Sequence, residues 1–118
     1  MNGLQDILPA ESRGDLSEVT LGDTVGVEAL VRPGSDAEVA DVVRWSGREG
    51  VTVLPIGTGR HLHRVVAAER AAVLRTDRLA GIRIYEPADL TLTAGAGTPV
   101  TELRAALAPH DQWLPFDP

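Results

Sequence analysis

The sequence predicts an α+β fold, a β-α-β-β-β-α order in which a small mixed sheet packs against two helices. Three observations lead there. Residues 51–56 (VTVLPI) form a β-branched-rich run of the kind that becomes a buried strand, and Gly57-Thr58-Gly59 stops it abruptly. Just upstream, Ser35-Asp36-Ala37-Glu38 fits a capping box, in which a serine hydroxyl and a glutamate carboxylate satisfy amides at a helix start. Downstream, two stretches of period-two alternation flank Glu86-Pro87-Ala88-Asp89, the pattern of a β-hairpin with one buried face.

Taken in order, residues 1–26 mix Gly, Ser, Asp and Glu with scattered leucines and have no sustained period; they read as a loosely ordered lead-in with one short strand or helical turn. Residues 27–32 (VEALVR) are a strand closed by the turn dipeptide Pro33-Gly34. The capped helix follows, with Val39, Val42, Val43 and Ser46 on one face, Arg44 and Arg48 elsewhere, and Gly50 placed as its C′ residue. Strand, helix and strand in so short a span predict a right-handed crossover with two parallel strands. Residues 71–75 (AAVLR) are a third strand and residues 78–81 a connecting turn. The hairpin pairs residues 82–85 with 90–93, and Ala94-Gly95-Ala96-Gly97 closes it. Thr98 can cap a second helix with Pro99 as its first residue, Glu102 in its first turn, and Val100, Leu103 and Leu107 as its apolar stripe; Pro109 ends it. The tail DQWLPFDP carries Trp113 and Phe116, aromatics that need burial with nothing after them to supply it. The expectation is the front part of a longer chain.

Composition narrows the function. At 118 residues the chain is one domain or part of one, and its 3% aromatic content implies a core of Val, Leu, Ile and Ala. The net charge of −6, with arginines interspersed among acids, speaks against nucleic acid as a partner. Every basic residue is arginine, which removes lysine-dependent phosphate motifs and Schiff-base chemistry. Without cysteine there is no disulfide frame, thiolate nucleophile or Cys-ligated metal. No stretch approaches membrane-spanning length and the N-terminus has no basic start with an apolar run, so a cytoplasmic protein with no membrane span is the default expectation.

The candidate site is the loop that begins at Gly57. Two glycines one residue apart leave backbone N–H groups uncovered, so an anion such as a pyrophosphate can approach; the same glycines also suit an ordinary tight turn. A Walker loop is excluded by the absent lysine, and a dinucleotide fingerprint would want a third glycine at Leu62. What is left is a loop using backbone amides with no helix dipole behind them, to which Arg60 adds charge-assisted hydrogen bonds if it points inward. His61 and His63 share a face in an extended segment but lack a third ligand, so no metal site is expected. Asp36, Glu38 and Asp41 read as helix-surface acids, and Tyr85 and Trp113 as half-buried packing residues that could instead stack on a ring. No nucleophile–base pair is evident. The chain offers a binding wall and no catalytic residue.

Several strings occur in a familiar order: Val31-Arg32-Pro33; Val53-Leu54-Pro55-Ile56-Gly57-Thr58-Gly59; Leu79-Ala80-Gly81-Ile82; Tyr85-Glu86-Pro87-Ala88-Asp89-Leu90; Ala94-Gly95-Ala96-Gly97-Thr98; and Gln112-Trp113-Leu114-Pro115-Phe116-Asp117-Pro118. Over residues 27–118 the chain resembles the N-terminal FAD-binding region of FAD-linked oxidases of the vanillyl-alcohol oxidase (PCMH-type) class, and most of all the FAD-binding subunit of glycolate oxidase. The resemblance implies an FAD-binding subdomain, truncated before the second subdomain. Its cofactor-binding residues would be Pro55, Ile56, Gly57, Thr58, Gly59, Arg60, His61 and Leu62 around the pyrophosphate, and Pro115, Phe116, Asp117 and Pro118 toward the flavin. It implies part of a flavin-dependent oxidoreductase acting on a small 2-hydroxy acid, whose partners are FAD and the missing half of the FAD domain or other oxidase subunits. Alone, such a chain is expected to be inactive. In this family the loop runs Gly-x-Gly-Ser/Thr-x-Leu with a further glycine; Arg60 stands in the Ser/Thr place and Arg64 near that glycine. His61 lies one place from the histidine that tethers FAD in some relatives, so no tether is expected. The alternative is a truncated interaction domain that kept the fold but not the flavin, pairing through the Trp113/Phe116 end.

Overall fold

The computed structural model describes residues 3–18, 25–57 and 68–115. Its main elements are α1 (Leu4–Ile7), β1 (Val25–Val31), α2 (Asp36–Glu49), β2 (Thr52–Ile56), β3 (Ala68–Arg75), β4 (Ile82–Glu86), β5 (Thr91–Ala94) and α3 (Val100–Leu107). The α+β class and the combination of parallel with antiparallel pairing are as the sequence predicts. The pairing is divided between two sheets, a parallel one ordered β1-β3-β2 and the antiparallel hairpin β4-β5. The hairpin supplies two strands, so the described order runs to five strands where β-α-β-β-β-α counts four.

β3 lies between the two strands of the β1-α2-β2 crossover because it alone can be buried on both faces. Ala71, Ala72, Val73 and Leu74 are all buried, the continuous apolar run expected of a central parallel strand. β2 is an edge strand, which tolerates Pro55 and its missing N–H. The other edge, β1, is covered by the lead-in: Gly14 N–H donates to Leu30 O at 2.8 Å, Arg32 N–H donates to Ser12 O at 2.7 Å, and Arg13 bridges Val31 antiparallel. Leu4 and Leu8 go further and enter the core.

α2 forms where its caps place it. The Ser35 hydroxyl accepts from Glu38 N–H at 3.2 Å, and Gly50 takes the left-handed conformation (φ 67°) beyond the last turn. Its buried face differs from the expected stripe. Trp45, 1% exposed, fills the centre of the core with Val42, Val31, Val51, Ala72 and Leu74, while Val43 is 53% exposed. The aliphatic core expected from composition therefore has an indole at its middle.

β1 also departs from simple alternation. Its register shifts between Val25 and Val27 and again between Val27 and Ala29, so that Ala29 and Val31 pack on the α2 side while Val25, Val27 and Leu30 pack with Val73, Leu54 and Ile56 on the other. The hairpin has a similar irregularity between Ile82 and Ile84. Ile84 is consequently exposed, whereas Tyr85 and Leu92, which pair, are half-buried. Leu90 turns in the left-handed region (φ 58°) and begins no strand.

Thr98 does not cap α3. Pro99 is the N-cap and makes no side-chain cap bond. The Thr98 hydroxyl instead accepts from Gly81 N–H at 2.9 Å and donates to Gly95 O at 2.7 Å, tying together the two ends of the hairpin.

Candidate functional site

Parallel pairing brings the carboxyl ends of β1, β2 and β3 to one edge of the sheet, where ligands of open α/β sheets bind. Val31 pairs with Leu74 and Ile56 with Arg75, so the residues that follow, Arg32, Gly57 and Thr76, emerge together. Ile56 O is held twice by the residue that follows β3, by Thr76 N–H at 3.0 Å and by the Thr76 hydroxyl at 3.2 Å. Because the peptide is trans, fixing this carbonyl toward β3 turns the Gly57 N–H to the opposite side.

At this edge an arginine encloses an acid. Arg32 grips Asp77 with two hydrogen bonds, Nη2 to Oδ2 at 2.7 Å and Nε to Oδ1 at 3.4 Å. Those bonds hold the Asp77 carboxyl below the usual carboxylate range; the charges of Arg32 and Arg75 add to the effect and partial burial opposes it. Arg78 Nη1 lies within hydrogen-bond distance of Glu11 O (3.0 Å), the Ser12 hydroxyl (2.8 Å) and Arg32 O (2.9 Å). The buried Ser12 hydroxyl in turn donates to Glu38. This network locks the lead-in, the β1–α2 loop and the β3–β4 turn into one support behind the edge.

The second glycine stretch belongs to that support. A Cβ on Gly97 would lie 1.8 Å from Thr76 O and one on Gly95 would lie 1.7 Å from Leu79 O, so the β5–α3 loop packs backbone against backbone on the Thr76–Ala80 segment. These glycines serve close approach. Gly57 is the opposite case: among the described residues an added Cβ would meet only the Thr76 hydroxyl oxygen, at 3.8 Å, and the residue is exposed.

Of the residues expected to bind cofactor, Pro55, Ile56 and Gly57 stand together at the end of β2, with Pro55 and Gly57 exposed and Ile56 half-buried. Thr58, Gly59, Arg60, His61 and Leu62 lie outside the described residues, as do Phe116, Asp117 and Pro118. Pro115 is exposed and follows Gln112, whose side-chain N–H donates to Pro87 O at 2.8 Å and whose carbonyl accepts from the Tyr85 hydroxyl. Tyr85 also meets His110 edge-on, with ring centroids 5.3 Å apart, and so serves packing; Trp113 is 78% exposed. Sequence reasoning missed Arg32, Thr76, Asp77 and Gly97 as parts of this edge. The signal for Thr76 was its place immediately after the β3 run, level with Gly57.

The described part of this edge is compatible with a diphosphate. Among the described residues, Gly57 is exposed at this edge, and the guanidinium of Arg32 and the charge of Arg75 stand beside Asp77, a set that suits an anion. Among the described residues no three His, Asp or Glu side chains gather to hold a metal ion, and no helix is long and apolar enough to cross a membrane.

Residues 27–118 match a family described as "FAD binding domain". D-2-hydroxyglutarate dehydrogenase of Xanthomonas citri pv. viticola is 36% identical over 90 residues, which are 75% of this chain and 19% of that protein. The chain spans about a fifth of the length of that relative. Among solved structures, an alkyldihydroxyacetonephosphate synthase superposes with a TM-score of 0.60 at 25% identity, covering 75% of this chain and 18% of the other. A variant of Phl p 4 described as a glucose oxidase gives 0.73 at 14% identity, covering 91% and 26%. Physcomitrella patens BBE-like 1 gives 0.62 at 22%, covering 77% and 20%.

Proposed function

Since the chain belongs to the FAD binding domain family, its cofactor is FAD, and we propose that residues 57–62 hold the FAD pyrophosphate for a flavin-dependent oxidoreductase of small 2-hydroxy acids, glycolate-oxidase-like in its substrate class. One observation carries the placement: the carboxyl ends of three parallel strands converge where Ile56 O is fixed from Thr76 and Gly57 opens the loop. The 2-hydroxy acid class is supported by the likeness to a D-2-hydroxyglutarate dehydrogenase.

Bound FAD supplies the hydride acceptor, and the protein supplies binding and orientation. Gly57 and the amides after it hold the diphosphate, Arg60 adds charge to it, and residues 115–118 approach the flavin. Residues 27–118 are the N-terminal part of the FAD domain, preceded by a lead-in over residues 1–26. The other half of the domain, or other oxidase subunits, supplies the second wall of the cleft and the substrate contacts; the assembly works in the cytoplasm. Half a cleft binds weakly and turns over little.

Fluorescence titration with FAD and, in parallel, FMN tests this. Saturable quenching by FAD but not FMN, which lacks the pyrophosphate-linked adenylate, is the expected result. Equal binding of both, or of neither, removes the pyrophosphate role from the loop. The exposure of Trp113 favours a second reading, an interaction domain that pairs through this end. A colourless chain that dimerises, and whose dimer is broken by Trp113→Ala, would support it.

A further inference from the structure

We propose that Thr76 is a positioning residue for the cofactor loop, presetting the peptide between Ile56 and Gly57 so that its N–H faces the diphosphate. This rests on the reading of the Gly57 loop as the FAD pyrophosphate site. Thr76 sits at the N-cap of the short turn Asp77–Leu79, where a threonine hydroxyl ordinarily bonds to the turn's own amides. Its side chain makes no cap bond and reaches across to Ile56 O, which already receives Thr76 N–H. Its backbone lies in the bridge between the helical and extended regions (φ −96°, ψ 6°), sparsely populated and common at functional positions.

Two further contacts make Thr76 a relay. Its carbonyl accepts from Leu79 N–H at 2.8 Å and is the atom against which Gly97 packs without a Cβ. Among the described residues beyond its chain neighbours, the Thr76 hydroxyl oxygen is the heavy atom within 4 Å of where a Gly57 Cβ would stand. The glycine stretch of the β5–α3 loop therefore braces Thr76, and Thr76 braces the first peptide of the cofactor loop. A flexible peptide would have to be ordered by the ligand on binding, and a preset one is not.

The test compares the 118-residue chain with its Thr76→Val and Thr76→Ser variants. Thr76→Val keeps the branched shape and removes the donor; Thr76→Ser restores it. The measurements are FAD affinity by fluorescence and the ¹⁵N order parameter of Gly57 without ligand. FAD affinity should fall about fivefold in Thr76→Val, the equivalent of one net hydrogen bond, and return in Thr76→Ser, while the Gly57 order parameter falls only in the valine variant. Unchanged affinity with an unchanged order parameter overturns the proposal, and so does a loss that serine does not restore. If the parent chain binds no FAD yet its Gly57 loosens in Thr76→Val, the cofactor reading fails and the positioning stands. Should the valine variant not fold, the parent chain still decides. FAD must shift the Gly57 and Thr76 amide resonances along one saturation curve, and a shift of Gly57 alone overturns the proposal.

Discussion

Replacing Gly97 by alanine puts a carbon 1.8 Å from Thr76 O and 2.5 Å from the carbonyl carbon behind it. Carbon–oxygen contacts settle near ~3.3 Å, so the two backbones must part by roughly 1.5 Å. Neither can retreat freely. Thr76 O accepts from Leu79 N–H, and Thr76 N–H and its hydroxyl are both committed to Ile56 O, so withdrawing Thr76 breaks hydrogen bonds worth about 1 kcal/mol each. Overpacking itself costs roughly 1–3 kcal/mol. The loss of one such hydrogen bond added to the overpacking gives a destabilisation of about 2–4 kcal/mol, a large share of the stability of a small domain. Urea unfolding followed by the fluorescence of buried Trp45 measures it. Gly47→Ala is the control: it lies within α2 with nothing outside its own helix turn within 4 Å of the added carbon among the described residues, and alanine's helix preference should stabilise the chain by about 1 kcal/mol. If Gly97→Ala unfolds at the parent's urea midpoint, the close packing of the β5–α3 loop on Thr76 is wrong, and the relay with it.

Two other outcomes follow from the same packing and charges. Trp45→Ala, which empties the middle of the core, should cost about 3–5 kcal/mol by far-UV circular dichroism in urea; a loss below about 1 kcal/mol would mean that the indole is not the centre of the core. Asp77 has its carboxyl lowered by Arg32, so its contribution is present above the ordinary carboxylate range, about pH 4, and is lost as pH falls through the lowered value. The pair is about one-third exposed, which limits the contribution to ~1 kcal/mol or less. Asp77→Asn should therefore be the less stable chain at pH 7 in urea unfolding, with the difference closing in acid. A difference that widened as pH fell would contradict the assignment.

Much of this fold is legible in local chemistry. Ser35, Glu38 and Gly50 mark the ends of α2 because caps satisfy backbone groups within a few residues, and Pro87 marks the hairpin turn for a similar reason. What escaped depends on partners distant in sequence. The expected α2 stripe included Val43 and left out Trp45, and the positions of α1 and β3 decide that the indole goes in and the valine out. The β1 irregularity reverses which residues face α2, and alternation alone does not foretell it. Thr98 precedes Pro99 as a cap would, yet Gly81 and Gly95 offer its hydroxyl stronger claims.

The candidate site divides in the same way. The string from Pro55 to Leu62 announced itself through its glycines and its family likeness. The group that orients its first peptide, Thr76, did not, because a hydroxyl after a strand is a common feature whose meaning depends on what the register places beside it. The parallel pairing of β2 with β3 turns that ordinary threonine into part of the edge.

The measurement that tests the central claim most directly is an amide chemical-shift map of the chain titrated with FAD. The account predicts saturable shifts concentrated at Arg32, Gly57, Thr76 and Asp77, the carboxyl ends of the parallel strands. Shifts confined to Leu90 and Trp113, with that edge unmoved, would contradict it.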